Sequence, residues 1–258
     1  MSIRIALPKL PDNFRDIIIK PISQRKLLIV GCDSSGAVGS KTGDVVKVDG
    51  ETVGKFAVRT ALMEVMAVNA EPLCVACGLA VEPKPAGEDI LKGVQSEMVR
   101  AGLNPSRDLV ISTEKNFPTI QTGVGVAVVG VVGKDSLLMG KSKEGDIIAS
   151  VGIPSVGMEV LENERRGVIA DLEDLNQLLS LEFVHGVIPV GSKGVLYESK
   201  ILAKESKLGI KLHRNIPIDT EKSAGPSTVL LASIERDSFE LLKAFLRKPV
   251  HKIALLTR

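Results

Sequence analysis

IVGCDSSGAVGSKTGDVVKVDGETVGKFAVRTALMEVMAVNAEP, residues 29–72, is the stretch that decides the fold. It begins as a short apolar strand and enters a loop rich in glycine and serine that carries Asp33, Lys41 and Asp44. It continues into a nearly all-apolar helix with one carboxylate, Glu64, in its middle. Small residues let backbone amides approach phosphates closely, and nearby carboxylates can hold the magnesium that accompanies a nucleotide. The stretch therefore predicts half of an ATP site.

The composition is that of a soluble globular protein. The 258 residues are 44% apolar and 25% charged, which is enough to bury a large core. Aromatic residues are scarce and the net charge is +2 with scattered basic residues, so we expect no nucleic-acid partner. Met1 to Leu10 does not resemble a signal peptide, and the longest apolar run, Val124 to Val132, is too short to span a bilayer. We expect a cytoplasmic protein without a membrane partner.

Two of the three cysteines form a C-x-x-C pair, Cys74 and Cys77, in the run LCVACGL. This run is typical of a buried strand, in which residues three apart face opposite sides. Without a second cysteine pair or clustered histidines, the pattern favours packed core cysteines over a zinc or redox site.

The helix after the glycine-rich loop is predicted from Val53 to about Asn69, with Thr52 as its N-cap. Its spacing places six residues on one face: Val53, Ala57, Thr60, Ala61, Glu64 and Val68. A lone carboxylate on this apolar stripe is costly unless it is paired or binds a metal. Glu64 is therefore a candidate metal ligand, and an ion pair with Arg59 is the alternative.

Strands and helices alternate along the whole chain, which predicts an α/β (α+β) fold. Residues 1–14 are predicted to form an arm or edge segment. A glycine-flanked charged linker near 133–145 separates two α/β domains, which we place at residues 1–137 and 138–258. Strands are predicted at 16–20, 27–31, 45–48, 73–79, 109–112, 124–132, 146–151, 185–190, 229–233 and 252–256. The other helices are predicted at 87–101, from 157, at 171–180, at 194–208 and at 237–246.

Residues 33–81 resemble the superfamily of aminoimidazole ribonucleotide synthetase, thiamine-monophosphate kinase and selenophosphate synthetase. The resemblance is carried by DSSGAVGSKTGD, Asp33 to Asp44, and by GKFAVRTALMEVMAVNAEPL, Gly54 to Leu73. Glu64 falls on the acidic position of the family's helix. The resemblance to this superfamily implies a PurM-like architecture, in which an N-terminal domain binds ATP and Mg²⁺ and dimerises while a C-terminal domain closes over the site. A homodimer is therefore expected.

Other motifs of this superfamily are altered. Where the family has Gly-Gly-Asp/Glu-Thr before a long apolar strand, this chain has Ser-Thr-Glu-Lys, which retains Glu114. The kinases' D-V-S-D-G motif becomes PVGSKG, Pro189 to Gly194, with Lys193 at the acidic position. The later G-G-E-D-Y motif becomes AGPST, Ala224 to Thr228.

Four segments together look like the alpha-ribazole kinase branch of cobalamin salvage: CDSSGAVGSK, ALMEV, STEKNFPTIQTG and VIPVGSKG. That similarity implies transfer of the ATP γ-phosphate to the 5′-hydroxyl of a nucleoside-like benzimidazole riboside.

The candidate site residues follow from these patterns. The predicted magnesium ligands are Asp33, Asp44, Glu64 and Glu114. The predicted catalytic residues are Asp33, Glu114, His185 and Lys193. The predicted nucleotide-binding residues are Gly36, Gly39, Ser40, Lys41, Asn116, Thr119 and Gln121.

Several of these residues have a structural alternative. Asp33 and Asp44 could instead organise turns, and Glu114 could be a solvated loop carboxylate. Lys41 could be a surface lysine, Lys193 could merely open a helix, and His185 could be structural.

Three functions remain open at this point. The first is a Mg²⁺- and ATP-dependent small-molecule kinase. The second is an ATP-dependent cyclo-ligase of the aminoimidazole ribonucleotide synthetase type. The third is a nucleotide-binding dimer without catalysis.

Overall fold

The computed structural model describes residues 13–258, so the predicted arm at residues 1–14 lies almost wholly outside the described part of the chain. The first half contains β1 (Ile17–Pro21), β2 (Lys26–Gly36), β3 (Val38–Gly39), β4 (Val46–Lys47), α1 (Gly50–Met66), β5 (Glu71–Leu79), α2 (Glu88–Arg100), α3 (Pro105–Asp108), β6 (Leu109–Thr113) and β7 (Gly123–Gly133). Five of these strands form the first sheet, in the order β1-β2-β7-β5-β6. Helices α1 and α2 pack together, and α1 contacts β2 and β7.

Helix α1 begins three residues earlier than predicted. Its N-cap is Asp49, whose side chain accepts hydrogen bonds from the Thr52 amide (2.7 Å) and the Thr52 hydroxyl (3.0 Å). The prediction that Thr52 is the cap is therefore wrong, because Thr52 is the donor in this cap rather than the acceptor.

Two glycines let α1 and α2 approach closely. A Cβ at Gly54 would lie 1.9 Å from the Ile90 carbonyl oxygen, and one at Gly93 would lie 1.9 Å from the Glu51 carbonyl oxygen. Because real Cβ atoms do not come this near to backbone, both positions require glycine at this helix crossing.

Strand β2 is longer than predicted and includes the Asp-Ser-Ser-Gly run. It pairs antiparallel with β7 along its whole length, from Lys26 opposite Gly133 to Gly36 opposite Gly123. Asp33 therefore lies on a strand and not in the predicted loop, because β7 supplies ladder partners as far as Gly36. The loop begins at Ala37, which has a φ of 58°.

The outer face of the first sheet is apolar, with Val30 and Val129 half-buried and their outer neighbours, Ile18 and Cys74, exposed. One row of directly opposed residues crosses four strands: Ile18, Val30, Val129 and Cys74. Ile18 on this row is 53% exposed. Cys74 is exposed and Cys77 is buried, which confirms that residues three apart on this strand face opposite sides. The expectation of packed core cysteines for this pair is confirmed for Cys77 and wrong for Cys74; Cys32 of β2 is exposed as well.

The second half forms its own sheet, in the order β10-β12-β8-β11-β9. Its elements are β8 (Ile147–Gly152), α4 (Met158–Arg165), α5 (Leu172–Leu179), β9 (Val184–Pro189), α6 (Gly194–Glu205), β10 (Gly209–Leu212), β11 (Val229–Ile234), α7 (Phe239–Phe245) and β12 (Val250–Thr257). All of its strand pairs are antiparallel. The mixed α and β fold class is confirmed, and the division into domains at residue 137 stays a prediction.

Buried ion pairs connect the two halves. Arg59 of α1 donates to both carboxylate oxygens of Glu97 at 3.0 Å and to Glu164 of α4 at 3.2 Å. Arg15 donates two hydrogen bonds to Glu205 of α6, at 2.6 and 2.8 Å. Because Arg59 is occupied in this way, the alternative in which it pairs with Glu64 is wrong.

Among residues 13–258, no helix combines the length and apolar character that crossing a membrane requires.

Candidate active site

A crevice lies between the two halves, and one face of α1 forms part of its wall. We call this cavity of about 350 Å³ the apolar crevice. From the first half it is lined by Asp33, Ser34, Ser35, Val38, Val46, Val48, Thr52, Val53, Phe56 and Ala57, and from the second half by Val156, Gly157, Val160, Leu161, Gly225 and Pro226. Neither lysine nor arginine occurs among these described lining residues. The crevice therefore suits an uncharged, largely apolar group.

Asp33 is the carboxylate of the apolar crevice. Burial raises the pKa of Asp33 to about 6, and a backbone hydrogen bond from Ser34 acts in the opposite direction. A carboxylate with this pKa is largely ionised at neutral pH and is a stronger base than an exposed aspartate. Asp33 can therefore accept a proton from a group bound in the crevice.

Glu64 lies farther along α1, in a second and smaller cavity. We call this cavity the acidic recess; it encloses about 40 Å³ and is lined by Phe14, Arg15, Asp16, Glu64, Ile188, Gly191, Tyr197 and Glu198. Val53 and Ala57 line the apolar crevice and Glu64 lines the acidic recess, in agreement with their predicted common helix face.

Carboxyl groups from both halves meet in the acidic recess. Burial raises the pKa of Glu64 to about 8, and the charges of Glu198, Asp16 and Asp33 act in the same direction. Burial, with the charge of Asp16, raises the pKa of Glu198 to about 7. The charge of Arg15 opposes both shifts. The recess therefore favours ligands that bring positive charge.

Asp16 and Glu198 line the acidic recess and are not among the predicted residues. The family's acidic position is occupied by Lys193 in this chain, and a carboxylate of the second half comes instead from Glu198, farther along α6. In the sequence, Glu198 is the single acidic residue of the run GVLYESK. Whether its side chain reaches the recess depends on which face of α6 packs towards α1.

Lys193 stands beside the recess at the N-terminus of α6. Its ammonium donates to the Tyr197 hydroxyl at 3.2 Å and lies 4.4 Å from the centre of the Tyr197 ring. The hydrogen bond to Tyr197 raises the pKa of Lys193, and the charges of Asp16 and Glu198 add to this effect. Lys193 thus lies close enough to two carboxyl groups of the recess, Asp16 and Glu198, to feel their charge.

The loop that carries Lys41 and Asp44 packs against the loop before β7. Both carboxylate oxygens of Asp44 accept hydrogen bonds from Thr122, and one of them also accepts from the Lys41 amide. Burial opposes ionisation of Asp44, but these hydrogen bonds outweigh it and hold the pKa of Asp44 below its usual range. Asp44 therefore organises a turn, which corrects its assignment as a magnesium ligand.

Lys41 is also occupied within the chain. Its ammonium pairs with Glu82 and donates to the Thr119 carbonyl at 2.9 Å. The hydrogen bond from Lys41, together with that from the Thr119 amide, lowers the pKa of Glu82 to about 2. Gln121 donates to the Gly43 carbonyl at 2.8 Å. These contacts hold the two loops together, and they leave Lys41 no free ammonium for a phosphate in this conformation.

The glycines of this loop differ in their surroundings. A Cβ at Gly39 would lie 2.3 Å from the Thr122 hydroxyl and 2.7 Å from an Asp44 carboxylate oxygen, so packing explains this glycine without a phosphate. A Cβ at Gly36 would meet no atom within 4 Å, and Ser40 is exposed. Gly36 and Ser40 therefore remain open to a ligand.

Glu114 lies in the loop after β6 and accepts hydrogen bonds from the amides of Asn116 (2.6 Å) and Phe117 (3.2 Å). These bonds hold the pKa of Glu114 below its usual range. Like Asp44, Glu114 organises its own loop.

The four predicted magnesium ligands do not converge. Within residues 13–258, no three His, Cys, Asp or Glu side chains are arranged to hold a metal ion. Asp44 and Glu114 accept hydrogen bonds from loop amides, and Asp44 also accepts one from a side-chain hydroxyl. In the described part of the chain, Asp33 and Glu64 are the two of the four that accept no hydrogen bond from a loop amide or a side-chain hydroxyl. Mg²⁺ is usually bound by one or two carboxylates together with substrate phosphates, so either carboxylate suits the ion chemically. Asp33 and Glu64 line different cavities, however.

His185 lies away from both cavities. Its Nδ1 lies 2.8 Å from an Asp146 carboxylate oxygen, and its Nε2 lies 2.9 Å from the Lys143 ammonium and 3.6 Å from Glu235. Strand β9 separates His185 from Gly191 at the recess by roughly 20 Å, at about 3.3 Å per residue. The assignment of His185 as a general base is corrected, because both ring nitrogens serve the packing of this strand end.

Comparison with known proteins agrees with this geometry. Residues 16–132 match the family model of AIR synthase related protein, N-terminal domain. No curated protein matches the chain by sequence. Among solved structures, the chain is similar to Thermotoga maritima PurL complexed with ADP, with a TM-score of 0.66 and 17% identity over 98% of this chain and 43% of that one.

Two further structures cover most of both chains. A HypE–HypF complex matches with a TM-score of 0.65 and 18% identity, over 93% of this chain and 86% of that one. Thiamine-monophosphate kinase from Stenotrophomonas maltophilia K279a matches with a TM-score of 0.63 and 16% identity, over 95% of this chain and 89% of that one. The fold is PurM-like. The N-terminal domain model covers residues 33–81, the region that indicated this superfamily, and the structural similarities, at 16–18% identity, speak for the fold alone.

Proposed function

We propose that the protein is an ATP-dependent kinase that transfers the γ-phosphate to a hydroxyl group of a small molecule. The observation that carries this proposal is the position of Asp33, a carboxylate with a raised pKa at the wall of an apolar crevice between the two halves. The similarity in fold to a thiamine-monophosphate kinase supports it. In this proposal Asp33 orients the acceptor hydroxyl and accepts its proton.

The lining of the crevice supports an acceptor with an uncharged aromatic part. Val53, Phe56 and Val160 offer apolar contacts, and the described lining residues include no cation that would attract a phosphate. Alpha-ribazole fits this description, because its benzimidazole is aromatic and its ribose carries the 5′-hydroxyl. We therefore propose alpha-ribazole as the acceptor.

The nucleotide is proposed to place its phosphates next to the acidic recess. Lys193 supplies a positive charge at the N-terminus of α6, where backbone amides also favour anions. Glu64 would hold Mg²⁺ together with the phosphates, and the ion when bound supplies positive charge that neutralises them, while Asp33 is left to act as the base. Gly36 and Ser40 lie exposed at the end of β2 and remain proposed contacts of the nucleotide.

We propose that the protein forms a homodimer through the outer face of the first sheet. The row Ile18, Val30, Val129 and Cys74 supports this, because an exposed apolar face of this extent is typical of an interface. The absence of a nucleic-acid partner and the cytoplasmic location stay predictions.

The proposal is tested by incubating the purified protein with ATP, Mg²⁺ and alpha-ribazole and measuring ADP and phosphorylated product. We expect alpha-ribazole 5′-phosphate to form in step with ADP, and Asp33→Asn to lower kcat by at least 100-fold. Asp135→Asn, which removes an exposed carboxylate outside both cavities, is the matched control and retains activity.

Other outcomes would identify the alternatives. Release of inorganic phosphate with a dehydrated or cyclised product would indicate a cyclo-ligase. ATP binding without turnover on alpha-ribazole and on a panel of other hydroxyl acceptors would indicate a nucleotide-binding dimer.

A further inference from the structure

A third cavity lies on the second sheet and encloses about 510 Å³. Five basic side chains line it, namely Lys211, His213, Arg214, Arg236 and Lys252, and we call it the basic cavity. It shares no lining residue with the apolar crevice or the acidic recess. Its size is within the range of pockets that bind small ligands.

The floor of the basic cavity is a row across three strands. Lys211 of β10 is directly opposite Leu255 of β12, which in turn is directly opposite Ile147 of β8. Directly opposed residues share one face of a sheet, so Lys211 stands at the edge of an apolar floor formed by Leu255 and Ile147.

The cations around this floor come from separate parts of the chain. Arg214 follows the edge strand β10, Arg236 belongs to the turn Arg236–Ser238 after β11, and Lys252 lies on β12. Lys252 is 4.0 Å from Glu240 and lies over the Phe239 ring at 4.4 Å.

These positive charges are poorly compensated within the chain. Of the five basic residues, only Lys252 forms an ion pair within residues 13–258, and no carboxylate is among the described residues that line the cavity. Lys211 and Arg214 lie close together in the sequence, and folding adds Arg236 and Lys252 to them, although the whole protein has a net charge of only +2 with histidine neutral. An anion would be attracted to it.

We propose that the basic cavity binds a phosphorylated small molecule that carries an apolar ring, of the nucleoside diphosphate class. The guanidinium groups of Arg214 and Arg236 match phosphate oxygens in a bidentate manner, and lysine adds a point charge. The floor at Leu255 and Ile147 accommodates the ring. With no carboxylate to accept a proton, this is a binding site and not a second transfer site.

The test is a residue-resolved titration of the isotope-labelled full chain at physiological salt, with ADP and with pyrophosphate as probes. We expect saturable amide shifts at residues 211–215, 236 and 252, with ADP binding at least fivefold more tightly than pyrophosphate. Arg214→Gln/Arg236→Gln should weaken binding at these residues at least tenfold. It should leave any shifts near Lys193 unchanged.

The matched control is Arg25→Gln/Arg247→Gln, which removes two exposed arginines elsewhere and should bind as the wild type does. Three results would overturn the proposal: shifts that do not saturate, equal weakening by both double variants, or equal affinity for ADP and pyrophosphate. Shifts confined to the surroundings of Lys193 would overturn it as well, while leaving the proposed kinase function standing.

Discussion

Glu64 of α1 and Glu198 of α6 line the same small recess, although they belong to different halves of the chain. Burial raises the pKa of Glu64 to about 8, and the charge of Glu198 contributes to this rise. Two acidic groups held this close favour the protonated form unless a cation is present. The folded protein thus keeps two carboxyl groups in one recess although their charges repel each other, as is common at ligand sites.

The first prediction concerns Glu64→Gln and the free energy of unfolding. The pKa of Glu64 is about 8 in the folded protein and near 4.5 when unfolded, so the folded state binds more protons between these values. Stability contributed by the neutral form is therefore lost as pH rises through this window. Glu64→Gln does not titrate and should exceed the wild type by up to about 4 kcal/mol at pH 8, with little difference at pH 4.5.

Denaturant unfolding at both pH values measures this difference. Glu97→Gln is the control, because Glu97 is buried in an ion pair with Arg59 and its loss should destabilise the protein. The kinase activity of Glu64→Gln should fall despite its greater stability. A variant that is less stable than wild type at pH 8 would contradict the prediction.

The second prediction concerns the crossing of α1 and α2. Gly54→Ala should destabilise the protein by about 3 kcal/mol or more, because the added methyl group would lie 1.9 Å from the Ile90 carbonyl oxygen. Gly36→Ala is the matched control and should change stability by less than about 1 kcal/mol, since its Cβ meets no atom within 4 Å. Thermal unfolding of the two variants compares them, and similar melting temperatures would refute the close packing at Gly54.

The third prediction concerns the buried ion pair between Arg59 of α1 and Glu97 of α2, in which Arg59 also contacts Glu164 of the second half. Arg59→Met should lower the free energy of unfolding by about 3–5 kcal/mol, because it leaves the Glu97 carboxylate buried without its partner. Lys92→Met removes an exposed lysine that pairs with Asp89 and should cost less than about 1 kcal/mol. Urea unfolding measures both. If Arg59→Met and Lys92→Met lowered the free energy of unfolding equally, Arg59 would not be part of a buried ion pair.

The fourth prediction concerns the outer face of the first sheet. Val129→Asp places a charge in the centre of the four-strand apolar row and should convert the proposed dimer to a monomer. Leu241→Asp introduces the same charge at an apolar residue that is 58% exposed on α7, and should leave the dimer intact. Light scattering after size-exclusion chromatography gives the mass. A wild-type monomer, or a dimer that survives Val129→Asp, would remove this interface.

The sequence indicated the parts of this fold that depend on residues close together in the chain. The apolar helix with one carboxylate was located to within three residues at each end, because its spacing alone defines a buried face. Strand β2 was predicted too short, since its extension through Asp33 depends on pairing with β7, about ninety residues later. The predicted loop ligands were wrong where a distant partner, such as Thr122 for Asp44, occupies the side chain.

By itself, then, the sequence determined the mixed α and β fold class and the buried helix that carries Glu64, because these follow from local patterns of apolar and acidic residues. Only the tertiary structure decided that Glu198 and Asp16 join Glu64, that Lys41 pairs with Glu82, and that Lys211 shares a cavity with Arg236. These side chains come from distant segments, and whether they meet depends on strand order and on the face that each helix turns inward. Neither property is contained in the spacing of neighbouring residues.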